Sequence, residues 1–287
     1  MCKEKAFTLI ELLVVVAIIA LLMAILFPAL QLVERHAQVI VCQSNLNQWG
    51  KTLAVYTEDN QGHLPPHEIG AIWLLRGSAP CDDDSLNSVL YNDVRTEGIS
   101  CCPVAVKPID AEGGKFLNNP SAPPWQVRIR WGSAFRAWQI VEPGPPFLCS
   151  YGFNGWLINR PFDFKSPQEQ FKRHHPNPPG LDVLSLRKRG EIPALLDSRS
   201  PCDGPRSNDE PPQTQRHGGN DMKNFCLNRH DGYVNGLFLD WSVRKIGLKE
   251  LWTLKWYTHF ETAGKWTRAG GIKPEDWPEW MKNFRDY

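Results

Sequence analysis

The sequence predicts an α+β fold, with one long N-terminal helix followed by a C-terminal domain built on an antiparallel β-sheet and long loops. Three observations carry this expectation. An apolar run from Leu12 to Leu30 holds no charged residue and continues into a helical apolar repeat. Near the C-terminus, "RHDGYVNGLFLDWSVRKIGL" (229–248) alternates as two strands around a tight turn. Between them, many of the 24 Pro and 22 Gly break the chain into short runs and loops.

The first element is the apolar run. Extended to Phe7 and Leu32 it has 26 residues, and roughly 20 suffice to cross the ~30 Å hydrocarbon core. A cleaved signal peptide would carry only about 7–15 apolar residues. Residues 7–30 therefore read as transmembrane, with Pro28 tolerated near the end. Lys3 and Lys5 precede the run, so the N-terminus is expected in the cytoplasm. One residue does not suit a plain anchor. Glu11 sits near the start of the run, where an ionised acid in lipid costs about 2.5–3.5 kcal/mol on insertion scales. Such a residue usually has a partner.

Apolar residues continue at helical spacing through Val33, Ala37, Ile40, Val41, Trp49, Leu53 and Tyr56, with Glu34, Arg35, Gln38, Gln43, Asn47 and Lys51 between them. One helix is thus expected from about 7 to 59, stopped by "DNQGHLPP" (59–66). Farther on, "AIWLL" (71–75) and "LNSVLY" (86–91) read as short helices, and "WQVRIRW" (125–131) as a strand. "FLCSYGFNGWLI" (147–158) reads as a strand or hairpin, and "EIPALLD" (191–197) as a buried strand ending at an acid. Residues 160–180 and 198–221 are polar, Pro-rich loops. After the 229–248 hairpin, 248–260 has helical spacing, and 277–287 reads as a final short helix started by Pro278. Six of the 12 Trp lie from Trp241 onward and predict an aromatic packing element.

Lys and Arg number 32 against 31 Asp and Glu, so no basic stripe argues for a nucleic-acid partner. The eight Cys show no C-x2-C pair, which argues against a structural zinc site. A disulfide from Cys42 to Cys101 or Cys102 would staple the long helix to the rest of the chain, worth about 3–4 kcal/mol in the entropic model; buried free thiols are the alternative. A metal set can be assembled from Asp197, His217, His230 and Asp240, but the spacing is unspecific. Asp240 shaping the turn and His230 bonding within the fold is the favoured reading. No G-x-S-x-G, H-E-x-x-H or P-loop is present, so no enzyme and no cofactor are expected.

The stretch "KAFTLIELLVVVAIIALLMAILFPAL" resembles the N-terminus of type IV pilins and type II secretion pseudopilins. The resemblance implies a leader, residues 1–6, removed by a prepilin peptidase between Ala6 and Phe7, with the new Phe7 amine methylated. Ala6 stands where that family usually has Gly. Glu11 is then the fifth residue of the mature chain, placed to pair with the Phe7 amine of a neighbouring subunit. Cys2 would leave with the leader, so seven Cys would remain.

A narrower likeness joins His230 and Asp240 to the H-x9-D-G pattern of a group of prepilin-type proteins, with Trp241 in place of the Gly. The segment 41–65 and "CCP" (101–103) are similar to the same group. Some pseudopilins hold calcium, which would here draw on acids such as Asp197 and Asp240. The expected organisation is therefore a leader, a helix over 7–60, and an extracytoplasmic domain over 61–287. The protein would be a single-pass inner-membrane protein whose partners are other pilin-like subunits in a filament. The alternatives are a tethered or filament-tip module that binds an exported cargo or surface ligand, and an anchored enzyme.

Overall fold

In a computed structural model the described residues are 9–65, 74–75, 98–109, 115–116, 128–142, 146–158, 181–214 and 220–287. The expected helix at 86–91 and the 160–180 loop lie outside them, as do the leader and Phe7. Helix α1 runs from Leu9 to Asp59, 51 residues that pass through Pro28 without a break. At 1.5 Å per residue it is about 77 Å long.

The helix has two regimes. Every side chain from Leu9 to Ala37 is exposed, although most of those to Val33 are Leu, Ile, Val, Ala, Met or Phe. Water does not favour such a surface, and lipid or neighbouring helices do. Among the described residues this is the one helix long and apolar enough to cross a membrane. From Val39 the burial becomes one-sided: Val39, Cys42, Leu46, Trp49, Leu53 and Tyr56 are buried, at spacings of three and four. Gly50 lies on this face, where a Cβ would stand 2.9 Å from Leu237 Cδ1, so its lack of a side chain lets the helix approach the sheet. The helix ends as the sequence predicts. Gln61 takes the left-handed conformation at φ 55°, Gly62 follows at φ 79°, and the Gly62 N–H donates to the Thr57 carbonyl at 2.7 Å.

Among the described residues, the domain packed on the far half of α1, the outer domain, holds two sheets. Strands β1 (Lys115–Phe116), β2 (Arg128–Arg130), β3 (Trp138–Glu142) and β4 (Phe147–Cys149) form an antiparallel four-stranded sheet in sequence order. The second sheet contains β5 (Tyr151–Asn154), β6 (Pro193–Asp197), β7 (Cys202–Asp203), β8 (Tyr233–Phe238) and β9 (Val243–Gly247), in the order β7-β5-β6-β8-β9. Its pairs are antiparallel except β5 with β7. Thus 147–158 is not a hairpin: the chain changes sheets at Ser150, so β4 and β5 belong to different layers. The loop expected over 198–221 contains the short strand β7.

The stretch 248–260 is not an α-helix. Only a 3-10 turn forms, Lys249–Thr253, whereas the expected final short helix is present as a 3-10 turn, Glu279–Met281, that follows Pro278. The residues follow the demands of an aromatic core rather than a helical stripe. Trp252, Trp256, Trp266, Trp277 and Phe225 gather there with Met281, as the Trp count predicts. The Lys249 ammonium enters this core, bonded to Asp286 at 2.8 Å and 4.9 Å from the Trp277 ring centroid.

A first core joins α1 to the sheets through Leu46, Trp49, Leu53, Trp138, Tyr151 and Leu237. Trp49 is fully buried, and its Nε1–H donates to the Ile99 carbonyl at 3.1 Å. Trp49→Ala is expected to cost about 3–5 kcal/mol, read as a lowered denaturant midpoint of the detergent-solubilised chain. A loss below about 1 kcal/mol would mean that the helix does not anchor the domain through this residue.

Candidate functional site

Two features of this chain are unusual enough to carry function. The first is the exposed N-terminal half of α1, long and apolar enough to cross a membrane. Glu11 lies in its first turn, exposed among Ile10, Leu12, Val14 and Val15. The acid sits on an apolar surface that is exposed in this chain. Ala6 and Phe7 lie outside the described residues.

The second feature is a buried polar centre where α1 meets the outer domain. Four elements supply it. Cys42 projects from the buried face of α1. Cys102 comes from the 98–109 segment, which is laid against the helix by Asn45 Nδ2, donating to the Cys101 carbonyl at 3.0 Å, and by Trp49. Asp197 ends β6, and Arg229 and His230 lie just before β8. The Arg229 and Asp197 side chains are fully buried and paired at 2.8 Å. Arg229 also donates to the carbonyls of Ala134 (2.7 Å), Ser150 (2.7 Å), Ser133 (3.1 Å) and Ser198 (3.2 Å). The Asn235 N–H donates to Asp197 Oδ2 at 2.8 Å.

His230 Nε2 stands 3.3 Å from Asp197 Oδ2 and 3.4 Å from Cys102 Sγ. Cys42 Sγ is 3.6 and 3.8 Å from the two Asp197 oxygens, and the Tyr151 hydroxyl reaches Cys42 Sγ at 3.4 Å.

Electrostatics follow from this packing. Burial pushes the Asp197 carboxyl up, but the Arg229 guanidinium and the bonds from His230 and Asn235 outweigh it and hold the carboxyl well below the usual range. Burial opposes charge on His230, yet its bonds to Asp197 and Cys102 raise it to about 9. The two thiols divide. Burial pushes Cys42 well up, whereas Cys102, despite its burial, is drawn down to about 6 by Cys42, His230 and Arg229.

Sequence-predicted residues fall on both sides of this centre. Asp197 and His230, weighed as metal candidates, do come together. Asp240 does not join them: it sits at the exposed hairpin turn, accepting from the Ser242 N–H at 3.0 Å and the Ser242 hydroxyl at 2.6 Å. Trp241, where the H-x9-D-G pattern has Gly, adopts φ 64°, a conformation Gly takes more easily. His217 lies outside the described residues. Cys42, expected to join Cys101 or Cys102 in a disulfide or else to be a buried free thiol, meets Cys102 across the helix–domain boundary with both as free thiols, and Cys101 is a free thiol outside their group. Arg229 and Tyr151 were not legible as site residues, since neither belongs to a motif or a local repeat.

Residues 1–27 match the family model described as the prokaryotic N-terminal methylation motif. The chain is 43% identical over 105 residues to the type IV wide pilus major component PilA4 of Thermus thermophilus, a span that covers 37% of this chain and 75% of that protein. No solved structure matches. The motif, the exposed apolar stretch of α1, and a likeness that spans three quarters of a pilin place this chain in the type IV pilin family.

Proposed function

We propose that the chain is made as a prepilin, cut between Ala6 and Phe7 by a prepilin peptidase, methylated at Phe7, and assembled into a type IV pilus-like or type II secretion filament. The observation that carries this reading is the membrane half of α1, an apolar surface exposed on all sides with Glu11 in its first turn. Before assembly that surface sits in the inner membrane, with the outer domain on the extracytoplasmic side. In a filament the same surface packs against the helices of other subunits, and Glu11 pairs with the Phe7 ammonium of a neighbour. Each charge relieves the other's burial cost in the low-dielectric bundle. The role is structural and assigns the chain no reaction of its own.

The test is mass spectrometry of the N-terminus of the membrane-extracted protein. The expected result is a chain that begins at N-methylated Phe7. A chain that retains Met1, or one cut within or after the apolar run, overturns the reading.

A further inference from the structure

The polar centre under α1 has more donors than a hydrogen-bonded core needs, and their kinds are specific. Two sulfurs, one imidazole nitrogen and one carboxylate oxygen, from Cys42, Cys102, His230 and Asp197, all lie within 4.8 Å of one another, and all four residues are buried. We propose that these four side chains form a structural zinc site that pins the long helix to the outer domain. The proposal is independent of filament assembly.

The distances carry it. Tetrahedral zinc with Zn–S near 2.3 Å and Zn–N and Zn–O near 2.0–2.2 Å requires ligand atoms about 3.3–3.8 Å apart. His230 Nε2 to Asp197 Oδ2 is 3.3 Å, Cys102 Sγ to His230 Nε2 is 3.4 Å, and Cys42 Sγ to Asp197 Oδ2 is 3.8 Å. Asp197 Oδ2, the oxygen 3.3 Å from His230 Nε2, is the ligating oxygen; it also accepts from the Asn235 N–H, while Arg229 donates to Oδ1. The donor set selects the metal. Calcium takes oxygen ligands only, whereas thiolates with an imidazole and a carboxylate suit zinc.

The charges close as well. Two thiolates and a carboxylate bring three negative charges, and a zinc ion with the Arg229 guanidinium brings three positive ones, so the buried assembly is neutral. Four protein ligands leave no open position, which marks a structural rather than a catalytic site. A supporting shell is in place. Arg229 and the Asn235 N–H orient Asp197, and the Tyr151 hydroxyl bonds to Cys42 Sγ. The sites on the chain are 42, 102, 197 and 230, so no C-x2-C spacing announces them.

The test uses the full chain, extracted in detergent without chelator, with zinc measured by plasma mass spectrometry. The expected content is about one zinc per chain. Cys42→Ser and Cys102→Ser each lower it by at least about 10-fold, whereas Cys101→Ser, one residue outside the cluster, retains it. Tyr151→Phe weakens zinc binding by about 10-fold. Because the Ser variants can fail to fold, a second measurement uses the unaltered chain exchanged with cobalt(II) chloride. The expected spectrum has thiolate-to-cobalt charge-transfer bands and intense tetrahedral d–d bands. A zinc-free chain with a Cys42–Cys102 disulfide in its peptide map overturns the proposal. So does zinc retained in Cys102→Ser, or a cobalt spectrum without thiolate ligation.

Discussion

Arg229→Leu is expected to destabilise the outer domain by about 3–5 kcal/mol, the loss that follows when one partner of a buried ion pair is removed. Asp197 would keep its charge in a site where both side chains of the pair have no solvent exposure. The carbonyls of Ala134, Ser150, Ser133 and Ser198 would lose their donor as well. Those acceptors lie on the 133–134 turn, on the residue where the chain passes from β4 to β5, and just beyond β6. The guanidinium therefore ties the 133–134 turn to the ends of the paired strands β5 and β6. Arg229→Lys should not rescue the loss, because one ammonium cannot reproduce a planar fork that serves several acceptors at once. Denaturant unfolding of the detergent-solubilised chain, followed by Trp fluorescence, reads the effect. A change under about 1 kcal/mol for Arg229→Leu would show that the pair is dispensable.

Glu11→Gln should leave that same unfolding transition where it is and act only on assembly. Glu11 is exposed on the membrane half of α1 and far from both cores of the outer domain. Two unit charges about 4 Å apart attract by roughly 4 kcal/mol at an effective dielectric of 20. Dehydration and ordering offset part of this, so incorporation into filaments is expected to fall by at least about 10-fold in competition with unaltered subunits. Glu11→Asp keeps the charge on a shorter stem and should recover part of the loss. N-terminal mass spectrometry of the Gln variant checks that cleavage before Phe7 still occurs. Equal incorporation of Glu11→Gln and unaltered chains would remove the charge pair from the account of assembly.

Local patterns were legible because their physics is local. An apolar run of membrane length, a helical repeat that buries Trp49, Leu53 and Tyr56, and a strand–turn–strand alternation at 233–247 each declare themselves within a few turns of chain, although Val33, Ile40 and Val41 of that repeat are exposed and Val39, Cys42 and Leu46 take the buried face instead. The chain stop at Gln61 and Gly62 belongs with them, since it depends only on backbone conformation. The same local reading failed at 248–260. Its spacings suit a helix, but six Trp from Trp241 onward had to be housed, and bulky rings packed from several segments displaced the repeat.

The sequence by itself thus determined a membrane helix with one acid, a helix-then-sheet order, and a processing motif. Only the tertiary structure decided what Cys42, Cys102, Asp197, Arg229 and His230 do. They are separated by up to 188 positions, 42 to 230, and nothing in their local sequence links them. They meet because β6 and β8 pair side by side while the buried face of α1 lies against that sheet. Excluding water from that junction turns ordinary side chains into a set of mutually dependent charges and donors.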